Sequence, residues 1–249
     1  MDQKIIDLYD EYTHAPLERR VFLARLAGLT GSAAAALSLV PLIESNYARA
    51  ATVPTDDRRL DTGRTTYLGA TGEIKTYMAR PKGAAKLPAV IVIHENRGLN
   101  AHIEDVTRRV AREGFFALAP DLLSPLGGTP ADEDTARDMI GKLDRKQMVQ
   151  NAVSALSFAK KHANCNGKVG VVGGCWGGSP AGQVAVNAPD LDAAVVYYGQ
   201  QPDASEVDKI RALLLLHYAS LDARINAGIP AFVDALQKAN KKYTMHMYE

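Results

Sequence analysis

Cysteine is scarce in this chain, with only Cys165 and Cys175 among 249 residues. Two cysteines cannot make a disulfide framework, and these two lack the paired spacing of a structural zinc site. Charge of one sign is missing too: 29 Lys and Arg stand against 28 Asp and Glu, a formal net charge of +1. So balanced a chain carries no electrostatic footprint for nucleic acid and no strong steering field. Proline and glycine, at 12 and 20 residues, are near ordinary usage, and there is no low-complexity linker or internal repeat. A long apolar run is also absent. The best stretch, residues 26–43, is eighteen uncharged residues interrupted by Gly28 and Gly31, where a spanning helix wants about 20 strongly apolar ones. What is there is a globular composition, 47% hydrophobic and 23% charged, in a length that suits one domain or one domain with an appendage.

The first fifty residues read as that appendage. Arg19-Arg20-Val21-Phe22-Leu23 leads into an Ala/Gly/Ser-rich stretch over 26–40, which closes at Pro41 before the small-x-small pattern Ala48-Arg49-Ala50. The arrangement resembles a twin-arginine export signal. It implies that residues 1–50 are removed, that the twin-arginine export machinery is a partner, and that residues 51–249 act in the periplasm. The alternatives are an uncleaved membrane anchor, or a helix packed on the domain of a cytoplasmic protein.

Past residue 65 strands and helices alternate, the signature of a mostly parallel sheet with helices on both faces. Residues 65–68 and 73–79 flank Gly69-Ala70-Thr71-Gly72 and predict an antiparallel hairpin. The continuous apolar run over 88–94 predicts a strand buried on both faces. Further strands are expected at 115–119, 168–173, 193–198, 212–217 and 243–248, with helices at 102–112, 131–142, 145–162, 177–188 and 229–239.

The segment Gly173-Gly174-Cys175-Trp176-Gly177-Gly178 places a cysteine at the centre of Gly-x-Cys-x-Gly between a strand and a helix. This is the nucleophile-elbow pattern with sulfur in place of oxygen. The turn brings strand and helix backbones so close that side chains at Gly173 and Gly177 would collide. At the helix start, unpaired N–H groups favour a thiolate on Cys175, and the N–H of Trp176 can face a developing oxyanion. The plainer alternatives are a phosphate-binding glycine loop and a structural turn holding a buried thiol. The glycine spacing is not that of a dinucleotide fingerprint.

Three stretches, His94-Glu95-Asn96-Arg97-Gly98, Ala119-Pro120-Asp121-Leu122 and the elbow, together resemble the dienelactone hydrolase family of α/β-hydrolases, and the resemblance runs over residues 72–249. It implies a small ester or lactone as substrate and no metal or organic cofactor. It also implies Cys175 as nucleophile, Glu95 as a carboxylate that interacts with the thiol, and the N–H groups of Asn96 and Trp176 as oxyanion donors. Against the role of Glu95 stands an ordinary loop ion pair with Arg97. Asp222 fits the triad acid, since it follows the nucleophile in the chain order this fold uses; its plainer role is a helix cap. Asp121 is the rival acid.

The family's triad histidine lies beyond the last strand, so the base and the closing helix are expected to be absent from a sequence that stops at Tyr248-Glu249. His94, His217 and His246 are the possible substitutes, but His94 and His217 read more plainly as hydrogen-bonding residues at strand ends and His246 sits too early to occupy the loop of a base; a non-catalytic remnant is the alternative to an enzyme. Cys165 precedes the elbow strand and Cys175 follows it, roughly 20 Å apart at ~3.3 Å per residue, too far for a disulfide.

Overall fold

The computed structural model describes residues 2–14, 17–43 and 51–249. The chain divides into two compact units, Met1–Ala51 and Thr52–Glu249.

In the first unit, Ile5, Leu8 and Tyr12 recur at helical spacing and line one face of α1, Gln3–His14. That face packs on Phe22 and Leu26 of α2, Arg19–Thr30, and on Ala36 and Val40 of α3, Ala33–Ile43. Tyr12 stacks on Phe22 with centroids 4.3 Å apart, the Arg19 guanidinium donates to the Tyr12 hydroxyl at 3.3 Å, and Arg25 pairs with Glu11 at 2.9 Å. The arginine pair Arg19-Arg20 therefore opens a helix with its own small core. Gly31, at φ +82°, ends α2 in the left-handed conformation that costs glycine nothing. Among the described residues no single helix is long and apolar enough to cross a membrane, and residues 19–30 and 33–40 meet at a bend of 112°. The Ala48-Arg49-Ala50 pattern lies outside the described residues.

The second unit is an eight-stranded sheet in the order β1-β2-β4-β3-β5-β6-β7-β8. Strands β1 (Leu60–Gly69) and β2 (Gly72–Pro81) form the antiparallel hairpin, and β2 pairs antiparallel with β4 (Phe116–Pro120). All later pairings are parallel: β3 (Leu87–Ile93), β5 (Cys165–Gly174), β6 (Ala193–Tyr197), β7 (Leu213–Ala219) and β8 (Tyr243–Tyr248). Helix α4 (Ala101–Arg112) covers one face through Ile103 and Ala111, against Tyr77, Ala79, Val92 and Ala117. The other face carries α6 (Arg145–Lys161), α7 (Gly178–Asn187) and α9 (Ile229–Lys238), whose Ala152, Leu156, Val184 and Phe232 join the main core.

Caps appear where the sequence offers them. Asn100 starts α4, Asp132 starts α5 (Glu133–Ile140) and Asp144 starts α6, each accepting from the backbone N–H three residues on. The pleat explains burial along β6 and β7: Val196, Leu214 and Leu216 point into the core, while Tyr197 and Leu213 on the opposite face are exposed.

Candidate active site

The parallel strands deliver the sequence motifs to one edge of the sheet, the carboxyl ends where such folds collect their sites. β5 ends at Gly174; a 3-10 turn over Cys175–Gly177 follows, and α7 begins at Gly178. Cys175 has φ +53°. A non-glycine residue pays strain there, and residues so held cluster at functional sites.

Space around the turn shows why its neighbours are glycines. A Cβ on Gly173 would stand 2.1 Å from the Gly177 carbonyl oxygen, and one on Gly177 would stand 2.4 Å from that of His94. Gly178 and Gly199 meet back to back, since a Cβ on Gly199 would lie 2.3 Å from the Gly178 carbonyl carbon. The first two contacts agree with the elbow reading. The third, with Gly199 after β6, was not legible in sequence because it joins two segments far apart in the chain.

Glu95 follows β3 and is half-buried. Its Oε1 lies 3.8 Å from where a Cβ on Gly174 would be, so the carboxyl stands beside the residue that precedes Cys175. Burial pushes its pKa up. The ion pair weighed for Glu95 is made elsewhere: Arg97 pairs with Asp134 at 2.9 Å. Asn96, the next residue after Glu95, is also half-buried. The Trp176 side chain packs over Leu123, Ala136 and Ile140.

The two candidate acids separate. The Asp121 carboxylate is buried and accepts from the backbone N–H of Leu123 and of Thr129 and from the Thr129 hydroxyl, at 2.8–3.1 Å. It clamps the loop after β4. Asp222, beyond β7, is half-buried and caps the short α8 (Ala223–Asn226) by accepting from Ile225 N–H at 3.0 Å. The cap is thus present, and it fixes the carboxylate at the carboxyl edge of β7.

The three candidate histidines each have ring partners of their own. His94 is fully buried, with Nδ1 2.7 Å from the Glu95 carbonyl oxygen and Nε2 accepting from Leu122 N–H at 3.2 Å. Gly174, Tyr197, His217 and His246 occupy one register row across β5 to β8. The Tyr197 ring stacks on His217 at 4.3 Å and therefore stands between that imidazole and the elbow. His217 also meets the Tyr248 hydroxyl at 2.8 Å and stacks on His246 at 5.4 Å, one strand further away. Cys165, at the opposite end of β5, is a buried free thiol that accepts from Gly167 N–H. Among the described residues no three His, Cys, Asp or Glu side chains gather as metal ligands.

The dienelactone hydrolase family model matches residues 74–249, which spans every strand from β2 to β8. The chain belongs to the dienelactone hydrolase family. A "Putative carboxymethylenebutenolidase" of Saccharolobus solfataricus is 31% identical over 214 residues, covering 71% of this chain and 81% of that one. The "Putative hydrolase fragment YghX" of Escherichia coli K12 is 46% identical over 112 residues, 44% of this chain and 96% of that one. The crystal structure of a "Putative Dienelactone Hydrolase" from Klebsiella pneumoniae superposes with TM-score 0.67 at 29% identity, covering 76% of this chain and 85% of that one. A YqhI-like family model matches residues 1–32, the span of α1 and α2. Within the dienelactone hydrolase fold, Trp176 follows Cys175 on the elbow, Glu95 lies beside the residue that precedes Cys175, Asn96 follows Glu95 in the loop after β3, and Asp222 lies on the same carboxyl edge two strands away.

Proposed function

We propose that this dienelactone hydrolase family member cleaves a small carboxylic ester or lactone through an acyl-enzyme on Cys175. The thiolate attacks the carbonyl carbon; the C–S bond forms, the carbonyl electrons move to oxygen, and the N–H groups of Trp176 and Asn96 hold the oxyanion. Collapse breaks the C–O bond and releases the alcohol arm, which takes a proton from the imidazolium of the base. Water activated by the same base then cleaves the thioester and regenerates the thiol. Glu95, kept protonated more readily by burial, contacts the thiol before substrate arrives. Asp222 orients the base.

The observation that carries this reading is Cys175 itself, held at φ +53° on a turn whose Gly173 and Gly177 admit no side chain. The reading does not take His94 or His217 as the base, because His94 has both ring nitrogens engaged and Tyr197 screens His217. The same engagement favours a second reading, a chain that folds without turnover. The reading further holds that residues 1–50 direct twin-arginine export to the periplasm.

The test compares p-nitrophenyl ester turnover by the 249-residue chain and by a chain continued past Glu249 with a histidine-bearing segment. The continued chain is expected to turn over, and its Cys175→Ala variant is not. The 249-residue chain should be slower by on the order of 10³, as when a triad member is removed. Equal turnover by the two chains would make one of His94, His217 or His246 the base.

A further inference from the structure

We propose that His94 is a positioning residue for the oxyanion site, aiming the N–H of Asn96 through one peptide plane and the N–H of Trp176 through its ring. The inference rests on the reading of Cys175 as nucleophile. It starts from two contacts that admit only one protonation pattern. A carbonyl oxygen, that of Glu95, faces Nδ1 at 2.7 Å, so Nδ1 must carry hydrogen and donate. A backbone N–H, that of Leu122, faces Nε2 at 3.2 Å, so Nε2 must offer its lone pair. The ring is therefore the neutral Nδ1–H tautomer, fixed from both sides in a fully buried place.

The carbonyl that His94 grips belongs to the peptide joining Glu95 to Asn96. In a planar trans peptide the C=O and N–H point in opposite directions. Holding the oxygen toward the imidazole aims the Asn96 N–H away from it, so the His94 bond, the shorter of two on this oxygen beside that from Gly98 N–H at 3.3 Å, helps set the direction of a proposed oxyanion donor. The second donor is tied to the same ring. The His94 and Trp176 rings are stacked, with centroids 5.2 Å apart and planes within 10°. The backbone joins in as well, because the His94 carbonyl oxygen presses on Gly177, where a Cβ would come within 2.4 Å. Leu122, in the turn clamped by Asp121, anchors the far side of the imidazole. Three segments that carry or support the site thus share one side chain.

The experiment uses the full 249-residue chain and two probes of the Cys175 thiol. Acetylation by p-nitrophenyl acetate passes through an oxyanion; alkylation by iodoacetamide does not. Both are followed by intact mass with Cys175→Ala as blank, and Trp176, the one tryptophan in the chain, reports local packing by its emission. His94→Phe keeps a stacking ring and loses both hydrogen bonds; His94→Gln returns a donor and an acceptor. Acetylation of His94→Phe is expected to fall about tenfold or more, given the 10² to 10³ typical of losing an oxyanion donor, while alkylation changes less than about threefold. His94→Gln should recover most of the acetylation rate. Equal acetylation by wild type and His94→Phe, a parallel fall in both reactions, or a His94→Gln no better than His94→Phe would each overturn the role. A wild-type chain that acetylates no faster than Cys175→Ala would instead overturn the nucleophile and the inference with it.

Discussion

Replacing Gly173 by alanine puts a methyl group where the elbow has no room. Its Cβ would sit 2.1 Å from the Gly177 carbonyl oxygen and 2.6 Å from the carbonyl carbon, so the backbones must part by about 1 Å to reach ordinary contact. They have nowhere to go: Gly177 already rests on the His94 carbonyl, and Gly178 on Gly199. Overpacking of movable side chains costs about 1–3 kcal/mol, and this obstacle is main chain, so ~3 kcal/mol or more is expected. Gly170, three residues earlier on the same strand, is the control. A Cβ there meets the Ala193 carbonyl oxygen at 3.4 Å and the Ala193 Cβ at 3.9 Å, both ordinary contacts, so Gly170→Ala should be neutral or stabilise by about 0.5 kcal/mol through the unfolded chain. For a domain of this size the pair should differ in Tm by roughly 6–12 °C, read by far-UV circular dichroism. Trp176 emission should shift in Gly173→Ala alone. If the two variants melt within about 2 °C of each other, the steric account of the elbow is wrong.

Asp222→Asn should keep the α8 cap, because an amide oxygen still accepts from Ile225 N–H, yet lower turnover of the continued chain by about 10³ or more; Asp222→Ala should add a stability loss of about 1 kcal/mol. Urea midpoints against pH form a third test. Burial holds the His94 pKa below its ordinary 6.5, so below that value the unfolded chain takes up the proton first and stability falls with pH until the folded ring titrates too. His94→Gln should flatten that fall. Glu95 works oppositely: its pKa is raised from 4.5 by burial, so its contribution is complete below 4.5 and is lost as pH rises through the folded value, and Glu95→Gln should remove that loss. N-terminal sequencing of protein from the native host is expected to begin close to Ala51; an intact Met1 or Asp2 on soluble cytoplasmic protein would contradict export.

Where patterns were local, the sequence told the fold. The apolar run before His94 became β3, and the glycine turn at 69–72 became the β1–β2 hairpin. Other boundaries were hidden by polar residues. β1 begins at Leu60, not 65, because Asp61 to Arg64 pair with 77–80 on a strand with no apolar alternation to reveal it. β5 begins at Cys165, not 168, since Leu87 pairs with Cys165 across a register shift and Gly167, at φ +94°, reads as a turn. In the site, Cys175 was legible because the elbow dictates glycines at fixed offsets. His94 was legible as a hydrogen-bonding residue at a strand end, but its partners were not, because they are backbone groups of Glu95 and Leu122 that leave no residue signature. The small core of residues 2–43 escaped for a related reason: Tyr12 meets Phe22 only once the helices fold against each other.

The most direct test of the central claim is to find where an acyl group lands. The chain is mixed with p-nitrophenyl acetate, quenched in acid before the thioester hydrolyses, digested and mapped by tandem mass spectrometry. One acetyl group on Cys175, formed in the wild type and absent from Cys175→Ala, is the predicted result. Acetyl on Cys165, Ser179 or a lysine at the same rate in both proteins, with Cys175 unmodified, would contradict it.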